Sequence, residues 1–174
     1  ESPKDIKDSV CQAGAASSRA GALLNAGEIK IEAITSVIDA EVCNMCGLCA
    51  SVCPYGAINW QKKEKATVVE AACAGCGACG AACVFGAIKM RHFTDDQLLA
   101  QVRATLAETP EEKVFVFACN WCSYAGGDMA GISRIQYPAT TRGVRPMCSA
   151  RDSEEMVLEA FRGGAPVVLV TGCH

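Results

Sequence analysis

The chain has 174 residues, a net charge of −3 and 13 cysteines, with aromatic residues at only 6%. That length allows one or two small domains, the charge pattern holds no basic run suited to nucleic acid, and no uncharged apolar stretch of about 18 residues is present to span a membrane. So many thiols need reducing conditions or bound metal to stay soluble, which points to a cytoplasm, and to an anaerobic one.

The chain opens at Glu1 without an initiator methionine and stops at Thr171-Gly172-Cys173-His174, directly after an apolar run, so both ends read as cut from something longer. Ser2-Pro3 is a cap-and-first-turn signal. It predicts a helix from Lys4 to about Leu24 with a weak apolar stripe at Ile6, Val10, Ala13, Leu23 and Leu24. Cys11, alone on that helix, reads as a small buried thiol. Alternation across Ile29-Lys30-Ile31-Glu32 favours a strand. Residues 1–38 are therefore expected to be a helix and linker.

Residues 39–93 carry the dominant pattern. Cys43, Cys46, Cys49 and Cys53 form one C-x2-C-x2-C-x3-C run, and Cys73, Cys76, Cys79 and Cys83 form a second. Gly47 and Gly77 follow the second cysteine of each, and Gly56-Ala57-Ile58 matches Gly86-Ala87-Ile88. Three cysteines at successive i, i+3 steps cannot share one face of a regular element; they suit a loop wrapped around a compact cluster. Paired C-x-x-C segments also bind zinc, but a zinc site closes with four ligands and has no use for this run written twice. Two 4Fe-4S clusters in a duplicated fold are expected, with the fourth cysteine of each run ligating the other cluster. Cluster one then takes Cys43, Cys46, Cys49 and Cys83, and cluster two takes Cys73, Cys76, Cys79 and Cys53. Ala57–Trp60 and Thr67–Glu70 read as a hairpin across a solvated lysine turn, and Val84–Met90 as the strand of the second repeat.

Residues 94–174 form the third part. Thr94, Asp95 and Asp96 start a connecting helix expected over 94–109, ended by Pro110. Three apolar runs follow, Val114–Ala118, Val144–Met147 and Val167–Val170, separated by helical patterns at Met129–Ile132 and Ser153–Phe161. That alternation implies a parallel sheet. Cys119, Cys148 and Cys173 close the three strands, and Cys122 joins them, so four thiols are expected along one sheet edge. Such a set suits a 2Fe-2S cluster, a structural zinc, a third 4Fe-4S cluster, or a redox disulfide at Cys119–Cys122. Trp121 is expected to shield this site from water, and His174 is a minor ligand candidate. His92 and His174 make no catalytic constellation. The fold class is thus an α+β two-cluster (2×4Fe-4S) bacterial-type ferredoxin domain followed by a small α/β domain with a parallel sheet.

Residues 1–93, through Pro3-Lys4-Asp5-Ile6, the Ala-rich helix and the twin runs, resemble the C-terminal part of the A-type subunit of heterodisulfide reductase from methanogenic archaea. Residues 111–174, through Cys119-Asn120-Trp121-Cys122-Ser123-Tyr124, Arg134-Ile135-Gln136-Tyr137-Pro138, Met147-Cys148-Ser149 and Gly172-Cys173-His174, resemble the iron–sulfur delta subunit of the methyl-viologen-reducing hydrogenase. The resemblance implies an oxidoreductase part that relays electrons between an external donor, a hydrogenase or a deazaflavin-oxidising subunit, and an FAD held outside this sequence. It further implies flavin-based bifurcation coupled to reduction of the coenzyme M–coenzyme B heterodisulfide and of ferredoxin, with B- and C-type reductase subunits as partners. It favours 2Fe-2S at Cys119, Cys122, Cys148 and Cys173, although the hydrogenase family carries another cysteine shortly after Gly-Cys-His. The rival expectation is a docking module whose third site holds zinc.

Overall fold

The computed structural model describes residues 5–28 and 34–173. The chain divides into two compact units, Glu1–Glu32 and Ala33–His174.

The first unit contains α1 (Ile6–Asn25), whose N-cap is Asp5, accepting from the Asp8 N–H at 2.7 Å. Aspartate suits that position because its carboxylate satisfies a free amide of the first turn. The start expected at Ser2-Pro3 and the strand expected over Ile29–Glu32 lie outside the described residues. Cys11 is exposed, not buried as expected, because no residue of α1 is buried: its small side chains bring too little apolar surface together.

The second unit begins with a cluster region of short elements: β1 (Ser36–Ile38), α2 (Leu48–Ser51), β2 (Ile58–Asn59), β3 (Thr67–Val68), α3 (Ala78–Ala81) and β4 (Ile88–Met90). Strands β2 and β3 form the expected antiparallel hairpin. Strand β1 pairs antiparallel with β4, so the stretch before residue 39 contributes a strand to this region. Strand β4 is shorter than the expected Val84–Met90, since Gly86 at φ 64° is still turning the chain. Each repeat enters its short helix through a glycine, Gly47 at φ 78° and Gly77 at φ 80°. This left-handed conformation strains any residue with a Cβ. The region's core is small: Ile58, Ala66 and Ile88 gathered around Cys49 and Cys79.

Helix α4 (Asp95–Thr105) follows, fixed by a capping box in which Thr94 and Gln97 satisfy each other's amides. It ends at Thr105, four residues short of expectation. Lys113 Nζ reaches back to the Thr105 carbonyl at 2.8 Å, and Thr109 turns left-handed at φ 38°. The parallel sheet is three-stranded, with β5 (Val114–Ala118) between β6 (Thr141–Val144) and β7 (Val167–Thr171). Helices α5 (Ser123–Ile132) and α6 (Glu154–Arg162) make the crossovers; Ser153 caps α6 as its sequence predicts. Leu98, Val102 and Leu106 from the α4 segment and Met156 and Ala160 from α6 pack on Phe115, Phe117 and Val144. The two phenylalanine rings meet edge-on with centroids 5.0 Å apart, a favoured aromatic arrangement.

Strand β6 lies three residues before the expected Val144–Met147. Pro146 has no N–H to give a ladder, and Thr141-Arg142-Gly143-Val144, weak as a strand by composition, pairs with Val114–Phe117. Cys148 consequently stands four residues beyond its strand.

Candidate metal centres

Two hollows flank the paired short helices. The first, about 360 Å3, is lined by Cys43, Cys46, Cys49 and Cys83 with Ile38, Leu48 and Trp60 among its walls. The second, about 310 Å3, is lined by Cys53, Cys73, Cys76 and Cys79 with Tyr55 and Met90 among its walls. Each hollow therefore holds three thiols of one run and the last thiol of the other, since the chain leaving each short helix crosses toward the opposite repeat.

The local chemistry matches what a cubane cluster needs. All donors are sulfur, the walls are mostly apolar, and backbone amides aim at the thiols. The Ala57 N–H donates to Cys53 Sγ at 3.4 Å. Burial pushes Cys49, Cys76 and Cys79 up, and neighbouring thiols push further; backbone hydrogen bonds at Ala50, Ala78 and Gly80 act the other way. The rise at Cys49 comes in part from Cys43, Cys46 and Cys83, so those four sulfurs stand within one another's field. Such a site keeps its thiols protonated unless a cation compensates the thiolate charge. Among the described residues, no three His, Cys, Asp or Glu side chains converge tightly enough to enclose a single metal ion.

Two side chains contribute that sequence did not single out. Trp60 lies over Gly47, whose Cβ would come within 2.7 Å of the indole, and Trp60 Nε1–H donates to the Met45 carbonyl at 3.1 Å. The indole thus pins the first cysteine loop. Ser36, from β1, places its hydroxyl 3.7 Å from Cys73 Sγ and also lowers Cys79. Neither signal was readable, because both residues lie outside the cysteine runs.

The third group sits at the carboxyl end of the parallel sheet. Cys119 is buried at the end of β5; its N–H donates to the Thr171 carbonyl at 3.1 Å, and Cys122, Cys119 and Cys173 interact through their thiols. The Ser123 hydroxyl is the main cause that lowers Cys122, and Cys173 is raised chiefly by its hydrogen bond with Cys122. The Asn120 N–H donates to the Pro146 carbonyl at 3.0 Å, and Cys119 Sγ approaches the Met147 carbonyl at 3.8 Å. These contacts hold the 146–147 backbone, and with it the chain leading into Cys148, against the end of β5. Cys148 also acts on Cys76 and on Tyr55, which stands among thiols of both regions. Trp121 does not shield the site: it is 60% exposed, at the turn before α5. His174 lies outside the described residues.

Residues 114–174 match the family described as methyl-viologen-reducing hydrogenase, delta subunit, and residues 42–87 match the 4Fe-4S dicluster domain. The chain is 48% identical over 173 residues to the A-type subunit of the ferredoxin:CoB-CoM heterodisulfide reductase of Methanosarcina mazei, covering 99% of this chain and 22% of that protein. Identity and coverage are the same for the A-type subunit of the ferredoxin/F420H2-dependent CoB-CoM heterodisulfide reductase of Methanosarcina acetivorans. It is also 48% identical over 69 residues to the D-type iron-sulfur subunit of the F420-non-reducing hydrogenase vhc of Methanococcus voltae, covering 40% of this chain and 48% of that one. The chain thus spans about a fifth of the length of the reductase subunits. No helix among the described residues is long and apolar enough to cross a membrane.

Proposed function

Since the chain belongs to the family of A-type heterodisulfide reductase subunits and joins a dicluster ferredoxin domain to a hydrogenase delta-subunit domain, we propose that it is the electron-transfer part of such a reductase, working in the cytoplasm. Cys43, Cys46, Cys49 and Cys83 hold one 4Fe-4S cluster, and Cys73, Cys76, Cys79 and Cys53 hold the other. Cys119, Cys122, Cys148 and Cys173 hold a 2Fe-2S cluster. Bound in these sites, the clusters supply one-electron redox chemistry.

The observation that carries this reading is the division of eight thiols into two four-thiol hollows, each drawn from both runs. The chain's own contribution is to hold the thiolates, line the sites with apolar walls and aim amides at sulfur. The external donor is a hydrogenase or a deazaflavin-oxidising subunit. The acceptor is an FAD elsewhere in the reductase, in bifurcation that reduces the coenzyme heterodisulfide and ferredoxin. The B- and C-type subunits complete the assembly. The names of the relatives, which include ferredoxin, F420H2, the CoB-CoM heterodisulfide and a hydrogenase, support the donor classes and the heterodisulfide.

Iron, sulfide and zinc analysis of anaerobically prepared protein tests the assignment. About ten iron atoms per chain support it. About eight iron and about one zinc overturn the 2Fe-2S part and favour a docking role for the C-terminal region.

A further inference from the structure

The cluster region meets the C-terminal region where α3 packs against the 3-10 turn Ser149–Arg151. Arg151 is only 2% exposed. A buried guanidinium is costly to desolvate and needs local compensation. Its stem crosses Gly77, where a Cβ would collide with Arg151 Cδ, and its Nη1 lies 3.1 Å from where a Cβ on Gly80 would stand. Gly77 follows Cys76 and Gly80 follows Cys79, so this cation rests on the backbone beside two thiols of the second hollow. Arg151 Nη2 donates to Asp95 Oδ1 at 2.5 Å, but Asp95 is half-exposed at the start of α4. Arg151 Nε–H is buried with no partner among the described residues. Solvent screens the Asp95 carboxylate more than the guanidinium, and burial keeps Asp152, the other carboxyl that interacts with Arg151, protonated up to about pH 7, so below that pH a net positive charge is left beside the second hollow.

We propose that Arg151, supplied by the C-terminal region, sets the reduction potential of the cluster held by Cys53, Cys73, Cys76 and Cys79. This rests on the cluster assignment proposed above. A one-electron reduction adds negative charge to the site, and a fixed cation on the adjacent backbone favours the reduced form. Neither hollow has a lysine or arginine in its walls, but at Gly47, the counterpart of Gly77, the neutral Trp60 indole stands where Arg151 stands at Gly77. The two sites, nearly alike in sequence, are thereby given different affinities for an electron. A residue that merely glues the two regions together would not produce a charge-dependent effect.

Redox titration of the anaerobic holoprotein, followed by electron paramagnetic resonance, distinguishes these roles. Arg151→Gln is expected to lower the reduced-to-oxidised ratio of one 4Fe-4S signal about tenfold at fixed potential, equivalent to about 59 mV for one electron, with the other signal unmoved. Arg151→Lys restores most of the difference, and Asp95→Asn moves the same signal the opposite way. The proposal is overturned if Arg151→Gln leaves both signals within about threefold of wild type, if it shifts both equally, or if lysine fails to restore the potential in a folded protein. Should Arg151→Gln not fold, Asp95→Asn decides, and the absence of an upward shift overturns the proposal. Wild-type protein lacking 4Fe-4S signals overturns the cluster assignment itself, whereas two signals indifferent to these substitutions overturn only the role of Arg151.

Discussion

Cys148 influences Cys76 more strongly than Cys53 or Cys73 does, although those two line the same hollow as Cys76. The C-terminal thiol group and the second hollow are therefore neighbours in space. On the proposed assignment, the reduced protein should show magnetic interaction between the third centre and one 4Fe-4S cluster, and none with the other. Electron paramagnetic resonance at graded potentials checks this. Equal coupling to both clusters, or to neither, would contradict the order in which the sites follow one another.

On the proposed assignment, the crossed ligands predict how damage spreads. Cys83 belongs to the second run but lines the first hollow, and Cys53 does the reverse. Cys83→Ala or Cys53→Ala should lower bound iron by more than the roughly four atoms of one cluster, because each thiol also ends the loop that shapes its own repeat. Loss of about four iron atoms with the second signal and the fold intact would mean that the two halves are not coupled.

A pH effect follows from Asp152. Both of its carboxylate oxygens are buried without a hydrogen-bond partner among the described residues, and desolvation raises its pKa from 3.8 to about 7, with Arg151 opposing the rise. The native carboxyl thus keeps its proton where the unfolded chain has released it. Between these two values the native state binds more protons, so stability declines as pH climbs through that window and levels off above it. Asp152→Asn should flatten the curve and leave the variant more stable than wild type at pH 8. Thermal unfolding from pH 4 to 8 measures this, and identical slopes for the two proteins would rule the effect out.

Why some of this was legible in the sequence and some not follows from range. The twin runs repeat within a short stretch, and metal ligation demands both residue type and spacing, so Cys43 to Cys83 announce their grouping. Ser153 with an acidic first turn announces α6, and Thr94 announces α4, because capping is local. Strand β6 is decided by its partner: Gly143 and Arg142 form a strand through pairing with Val116 and Phe115, which no window around them reveals. Trp121 sits between two cysteines yet points to solvent, since the turn that joins Cys119 to α5 leaves its side chain outside. Arg151 looks like any surface arginine until α3 is placed against it. Its burial depends on two glycines more than 70 positions away.

The two hollows also differ in how they meet solvent. In the first, Cys46 is exposed, whereas in the second every thiol is at least partly covered. Dioxygen or peroxide reaching the protein attacks accessible sulfur and iron before protected ones. Exposure to air should therefore dismantle the two sites in sequence, the Cys46 site first. A partly oxidised preparation would then keep the centre beside Arg151 after the Cys46 site is lost, which on the proposed assignment interrupts electron transfer.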